Sequence, residues 1–209
     1  HYAESIGAFD DTIPVTKLSD IQKTIENYLG KGIYKGHFKE RAYGIYKSKN
    51  DTIRVKEYKD IDNILHEIGH ALDLGKRLNI DKESIANELL EAVRRHGGYE
   101  DADRSIQLDE GFAEVIKTYV ISPSQSKIDY PQTITILEGI RLQDKSFNDF
   151  IQKVQSQIYN YIHQNPRNRV LSNVSIGEQT DKTPINRKTI KENVMRLVYD
   201  KDYLLKSTV

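Results

Sequence analysis

The five residues His66-Glu67-Ile68-Gly69-His70 constrain this chain more than any other feature. On a helix, the step of about 100° per residue puts His70 about 40° round from His66 and about 6 Å further along the axis. Both imidazoles can then reach one point, which makes the pair a metal-ligand spacing. Glu67, about 100° round, stands beside that point rather than on it, where a base for a metal-activated water has to be. With 6 His and 14 Glu in 209 residues, H-E-x-x-H arises by chance in about one such chain in a hundred.

The flanking residues are those of a helix. Asn63, His66, His70 and Asp73 share one stripe, while Ile61, Ile64, Leu65, Ile68, Ala71 and Leu72 fall between about 140° and 260° from His66 and form a core face. The polar stripe carries no Lys or Arg before Lys76, although a solvated face ordinarily would. Its polar groups therefore read as ligands and their partners, with Asp73 placed to hold an imidazole by its second nitrogen. Asp60 reads as the N-cap, and Gly75 as the left-handed residue that closes the helix after Leu74. Gly69 costs up to about 1 kcal/mol of helix propensity, so something is expected to pack closely against it.

The rest of the chain reads as scaffold around this helix. A first helix is expected over 19–29, with Ser19 and Gln22 as a capping box and Leu18, Ile21, Ile25, Tyr28 and Leu29 inward. Between 33 and 58 the period becomes alternating, and 42–46 and 52–56 read as a hairpin with Ile53 and Val55 on one face. An exposed strand there, carrying Ile53, Arg54 and Val55, could pair with an extended peptide; an edge that pairs with nothing is the plainer alternative. Asp81 is expected to cap a helix to Arg95, ended by Gly97-Gly98, with His96 as a helix-end cation and a site role as its lesser alternative. Helices follow over 105–121, 131–142, 146–163 and 186–198, with a turn beyond Pro123 and a polar loop after Pro166.

Composition removes several classes. Lys plus Arg and Asp plus Glu are each 31, so no nucleic-acid or acidic-membrane partner is indicated by charge. No apolar run is long enough to span a membrane, and without cysteine there are no disulfides or thiolate ligands. No signal peptide is recognisable, and the abrupt ends read as those of a fragment of a longer protein.

Two imidazoles do not complete a catalytic metal site, which usually takes three protein ligands. The metzincin arrangement, with a third histidine on the same segment, is excluded because Asp73 and Lys76 occupy the diagnostic positions. A carboxylate from a later helix remains, and Glu110-Gly111-Phe112-Ala113-Glu114 is the best candidate. Its alternative is a solvated face of Glu110, Glu114 and Lys117.

The run HEIGHALD followed about forty residues later by EGFAE resembles the glutamate zincins, particularly the lethal-factor-like peptidases. Together with Gly36 to Arg41, Gly44-Ile45-Tyr46 and Ile53-Arg54-Val55, it is more closely similar to the metallopeptidase domain of large polyvalent proteins of phages and mobile elements. The likeness covers roughly residues 33–122, and the stretch from Phe147 to Gly177 is similar, less specifically, to the helical segment that follows in such proteins. The resemblance implies one Zn2+ held by His66, His70 and Glu110, Glu67 as general base and acid, and Glu114 as a carboxylate behind a ligand. The lethal-factor-like enzymes carry an oxyanion-stabilising tyrosine where this chain has Asp103, and Tyr99 is the nearest substitute.

The expectation is therefore an α+β, mostly helical, zincin-like fold with a small β-sheet. Residues 1–125 would form the metallopeptidase domain and 126–209 a C-terminal helical extension packed on it. The expected function is zinc-dependent endopeptidase activity on a protein or peptide, including the parent polyprotein, with the substrate along strand 52–56. By resemblance the protein would be carried in a virion or delivered by a phage and act in the host cytoplasm. The alternative is a zincin-fold binding or structural module of a large phage or toxin protein, without turnover.

Overall fold

The switch to alternating periodicity near residue 33 marks a small sheet set between helices. In this computed structural model, residues 12–35, 44–56, 60–75, 77–99 and 101–173 are described. The expected strand residues 42 and 43, the run 36–41 and the expected helix 186–198 lie outside them. Helix α1 (Leu18–Leu29) leads into β1 (Ile33–Lys35), β2 (Gly44–Lys47) and β3 (Thr52–Val55). Helix α1 begins at Leu18, so Ser19 lies inside its first turn rather than before it.

The strand order is β1-β3-β2. Strand β1 runs parallel to β3 with Ile33 opposite Ile53, and β2 runs antiparallel with Gly44 opposite Val55. Ile53 and Val55 turn inward and Arg54 outward, as alternation requires. The hairpin tip is held by Arg77. Its guanidinium pairs with Asp51 at 2.7 Å and donates to the main-chain carbonyls of Ala71 and Leu29 at 2.8 and 3.1 Å. Asp51 has φ 47°, a left-handed conformation that aspartate tolerates, and it also accepts from the Tyr46 hydroxyl at 2.8 Å.

Helix α2 (Ile61–Asp73) starts where Asp60 accepts from the Asn63 amide at 3.2 Å. Gly75 is not left-handed, in contrast to the sequence expectation. A Cβ there would stand 2.2 Å from the Ala71 carbonyl oxygen, so the glycine serves a close approach, not a helix-ending turn. A short 3-10 turn (Lys82–Ile85), capped by Asp81, opens α3 (Ala86–His96), which ends at Gly97 with φ 73°.

Helix α4 (Arg104–Ile121) lies against both α2 and α3. Two glycines permit this. A Cβ on Gly69 would come within 2.4 Å of the Ala113 Cα, and one on Gly111 within 2.2 Å of the Leu89 carbonyl oxygen. The backbones therefore touch where side chains would hold them apart. Ile64, Leu65, Ile68 and Leu72 of α2 are buried, as are Phe112, Ala113, Val115, Ile116 and Tyr119 of α4.

Beyond Pro123 the chain forms α5 (Pro123–Asp129), where only a turn was expected, because Pro123 sits at the start of a helix and its missing N–H is no loss there. Helix α6 (Pro131–Gln143) follows, and its first amides are satisfied from α3: Glu88 accepts from the Gln132 and Thr133 amides, each at 2.8 Å. Helix α7 (Lys145–His163) brings Phe150 against Tyr28 of α1, the rings stacked with centroids 4.0 Å apart. Helix α8 (Pro166–Asn173) replaces the loop expected after Asn165, again with proline in the first turn.

Residues 18–159 make one compact unit. The segment 126–159 falls within it, together with α2, α3 and α4. The described residues 12–17 and 160–173 fall in a second unit. Within it, Thr16 and the wholly buried Gln164 exchange two hydrogen bonds of 2.8 and 3.0 Å. The architecture is mostly helical with a small three-stranded sheet. No described helix is long and apolar enough to cross a membrane.

Candidate metal centre

The contact of Gly69 with Ala113 fixes what faces what across the α2–α4 seam. It sets His66 and His70 opposite Glu110 and Glu114, one turn apart on each helix. His66 Nε2 lies 3.1 Å from His70 Nε2 and 3.1 Å from Glu110 Oε2, and His70 Nε2 lies 3.5 Å from Glu110 Oε1. The two rings meet edge to face with centroids 4.8 Å apart. Donor atoms held tetrahedrally at bond lengths of 2.0 to 2.2 Å would be about 3.3 Å from one another, and each imidazole has the other ring and one Glu110 oxygen close to that distance. His66, His70 and Glu110 can therefore hold a metal ion.

Burial alone would depress the His66 imidazole, but hydrogen bonds to Glu110 and Glu114 and the charges of Glu114 and Glu67 raise it to about 9. Burial would raise Glu110, yet its hydrogen bonds with His66 and His70 hold it at about 2. The imidazole and the carboxylates thus hold one another as a charged pair. His70 Nδ1 is buried and makes no hydrogen bond among the described residues.

Behind His66 stands Glu114, whose Oε1 lies 2.6 Å from His66 Nδ1. Its Oε2 meets Lys117 Nζ at 2.7 Å and His96 Nε2 in a close contact, and Lys117 reaches Asp62 at 3.4 Å. Burial would raise Glu114, but hydrogen bonds from His66 and His96 and the Lys117 charge hold it well below the carboxylate range. With Glu114 and Lys117 only 7% and 6% exposed, this side of α4 is an interior face rather than a solvated one. His96 is more than a helix-end cation: its ring closes on Glu114 and Lys117.

Glu67 is buried beside the two histidines, under β2. A Cβ on Gly44 would stand 2.6 Å from Glu67 Oε1, so a side chain there would push the carboxylate aside. Burial pushes Glu67 above the ordinary carboxylate range, partly opposed by His70, His66 and a main-chain hydrogen bond from Tyr46. Tyr99, on the loop between α3 and α4, is half-exposed. Burial first, then the charge of Glu110 and a hydrogen bond to it, raise its phenol, which places Tyr99 at the edge of the same cluster.

Two sequence expectations are corrected. Asp73 does not hold an imidazole: its Oδ2 accepts from Lys82 Nζ at 2.6 Å, and the same ammonium contacts Asp109. Its stripe of α2 is right, but a lysine from the following 3-10 turn reaches it first. Strand β3, with Ile53, Arg54 and Val55, cannot take an extended peptide on an edge, because β1 and β2 pair with its two sides. Among the described residues, β2 is the edge strand next to Glu67.

Gly44 and Lys117 lie outside the site expected from sequence, and His96 enters it only as the lesser alternative to a helix-end cation. A glycine before Ile45-Tyr46 gave a signal for Gly44. His96 and Lys117 gave none, since their partner Glu114 is remote from His96 in sequence and Lys117 looked like part of a solvated stripe. Comparison of the chain with family models, with curated proteins and with solved structures gives no match.

Proposed function

We propose that this chain is a zinc-dependent endopeptidase of the zincin kind, with His66, His70 and Glu110 as the metal ligands. The observation that carries the reading is the convergence of three donor atoms from two helices with a fourth, non-ligating group, Glu67, buried beside them. Two imidazoles and one carboxylate, with no thiolate, are a donor set suited to catalytic zinc. A bound zinc ion would supply Lewis-acid polarisation of a carbonyl and acidification of a water.

The chain's own groups account for the proton movements. Glu67 takes a proton from the attacking water and returns it to the leaving amine, a task suited to a carboxylate whose burial raises its affinity for a proton. The Tyr99 hydroxyl, beside Glu110, is the candidate donor to the oxyanion. An extended substrate would add to the outer edge of β2, where Gly44 brings the backbone onto Glu67. The cleaved chain is a protein or peptide, either the parent polyprotein or a host protein met after delivery.

The test is Glu67→Gln, compared with the parent for zinc content and for cleavage of a peptide library. The variant is expected to retain one zinc and to lose turnover by about 10² to 10⁴-fold. Equal cleavage by both proteins would remove Glu67 from the mechanism. Stoichiometric zinc with no cleavage by the parent would favour a binding or structural module instead.

A further inference from the structure

A lysine is an unusual occupant of the α2–α4 seam. Lys117 is 6% exposed, and a buried ammonium is costly unless paired. It faces Glu114 Oε2 at 2.7 Å, Asp62 Oδ2 at 3.4 Å and the His96 ring. Asp62 comes from the first turn of α2, so the lysine ties α4 to the helix that carries both histidines.

Glu114 divides its two oxygens. Oε1 serves His66 Nδ1 at 2.6 Å, and Oε2 serves Lys117 and His96. A carboxylate fixed at one end only can rotate; one fixed at both ends presents Oε1 in a single direction. The nitrogen so held is the one opposite His66 Nε2, which points at Glu110 and His70. Such outer partners set the orientation and tautomer of a ligating imidazole.

We infer that Lys117 is a positioning residue for the metal site, acting through Glu114 on the orientation of His66. This role presupposes that His66 is a metal ligand, as proposed above. Asp62 holds Lys117 from the far side, and the half-exposed His96 gives Glu114 Oε2 a second anchor at the solvent boundary.

The test uses the full chain and measures Zn2+ affinity by chelator competition, together with the visible absorption of the Co2+-loaded protein and its thermal melting. Lys117→Met removes the donor at similar length and is expected to lower Zn2+ affinity about tenfold, the lower end for outer-shell partners of a metal ligand, and to alter the Co2+ spectrum. Lys117→Arg should restore most of both. In a Glu114→Ala background, Lys117→Met should change affinity no further, because the path is already cut.

A Lys117→Met protein that melts like the parent and binds Zn2+ as tightly overturns the role, as does a full loss that persists in the Glu114→Ala background. If the methionine variant does not fold, Lys117→Leu, which also carries no donor, takes its place: a tenfold loss supports the role and unchanged affinity overturns it. A parent that binds no Zn2+ overturns the metal reading and this role with it, and so differs from a parent that binds Zn2+ and is indifferent to position 117.

Discussion

The seam between α2 and α4 holds two carboxylate clusters that solve the same electrostatic problem differently. At one end Asp73 and Asp109 share the ammonium of Lys82, so the chain supplies its own cation and the cluster is closed. Beside it Glu110 faces two imidazole Nε2 atoms, with no ammonium paired to it among the described residues. Lys117 pairs instead with Glu114, on the oxygen that does not serve His66. A cluster with a resident lysine is structure, whereas one whose donors converge on a common point can exchange its proton for a metal.

The largest expected effect breaks the second cluster alone. Glu110→Ala should abolish stoichiometric zinc binding, measured as metal content after dialysis; retention of one zinc per chain would transfer the ligand role to Glu114. Substituting the contact that aligns both clusters comes next. Gly69→Ala places a methyl 2.4 Å from the Ala113 Cα, and overpacking of this kind costs about 1 to 3 kcal/mol. A lower melting temperature together with weaker zinc binding is the expected pair of readings.

Lys82→Met sharpens the comparison from the other side. It leaves Asp73 and Asp109 without their partner at a half-buried place, and the loss should be about 1 kcal/mol after allowance for solvent screening. Zinc content should not change. Weaker zinc binding with an unchanged melting temperature would make the two clusters one.

The smallest effect is a pH dependence. In the metal-free protein the His66 value of about 9 lies above the ordinary 6.5. The charged ring therefore contributes stability that is fully present below pH 6.5 and lost as pH rises through about 9. Zinc requires the neutral ring, so its uptake at neutral pH should release about one proton and its affinity should rise up to about tenfold per pH unit, levelling near pH 9. Calorimetry in buffers of different ionisation enthalpy reads the proton directly; uptake without proton release would mean that His66 is neutral beforehand.

What the sequence disclosed divides along the same line as these clusters. Helical periodicity is local, so the stripe of His66 and His70, the cap at Asp60 and the Glu110–Glu114 spacing could be read residue by residue. The glycine at 69 announced a close neighbour, which is the Ala113 backbone. Partners brought in from elsewhere were not legible. The lysine that takes Asp73 comes from the next element, and β3 is central only because three residues of β1 pair with it in parallel, a fact set by tertiary packing. His96 joins Glu114 because α3 and α4 touch at Gly111. Helix α8 was missed because the proline and asparagines after Gln164 read as loop, although proline is well tolerated in a first helical turn.

The backbone contacts at Gly69 and Gly111 have a further consequence. The distance between α2, α3 and α4 is set by main-chain atoms, which cannot adjust by changing rotamer as large interlocking side chains can. The cage for an ion is thus preorganised before any ion arrives, and loading it demands little loss of conformational entropy. A chelator should therefore strip the metal and leave a folded chain ready to take it back, unlike the small zinc domains that unfold without their ion.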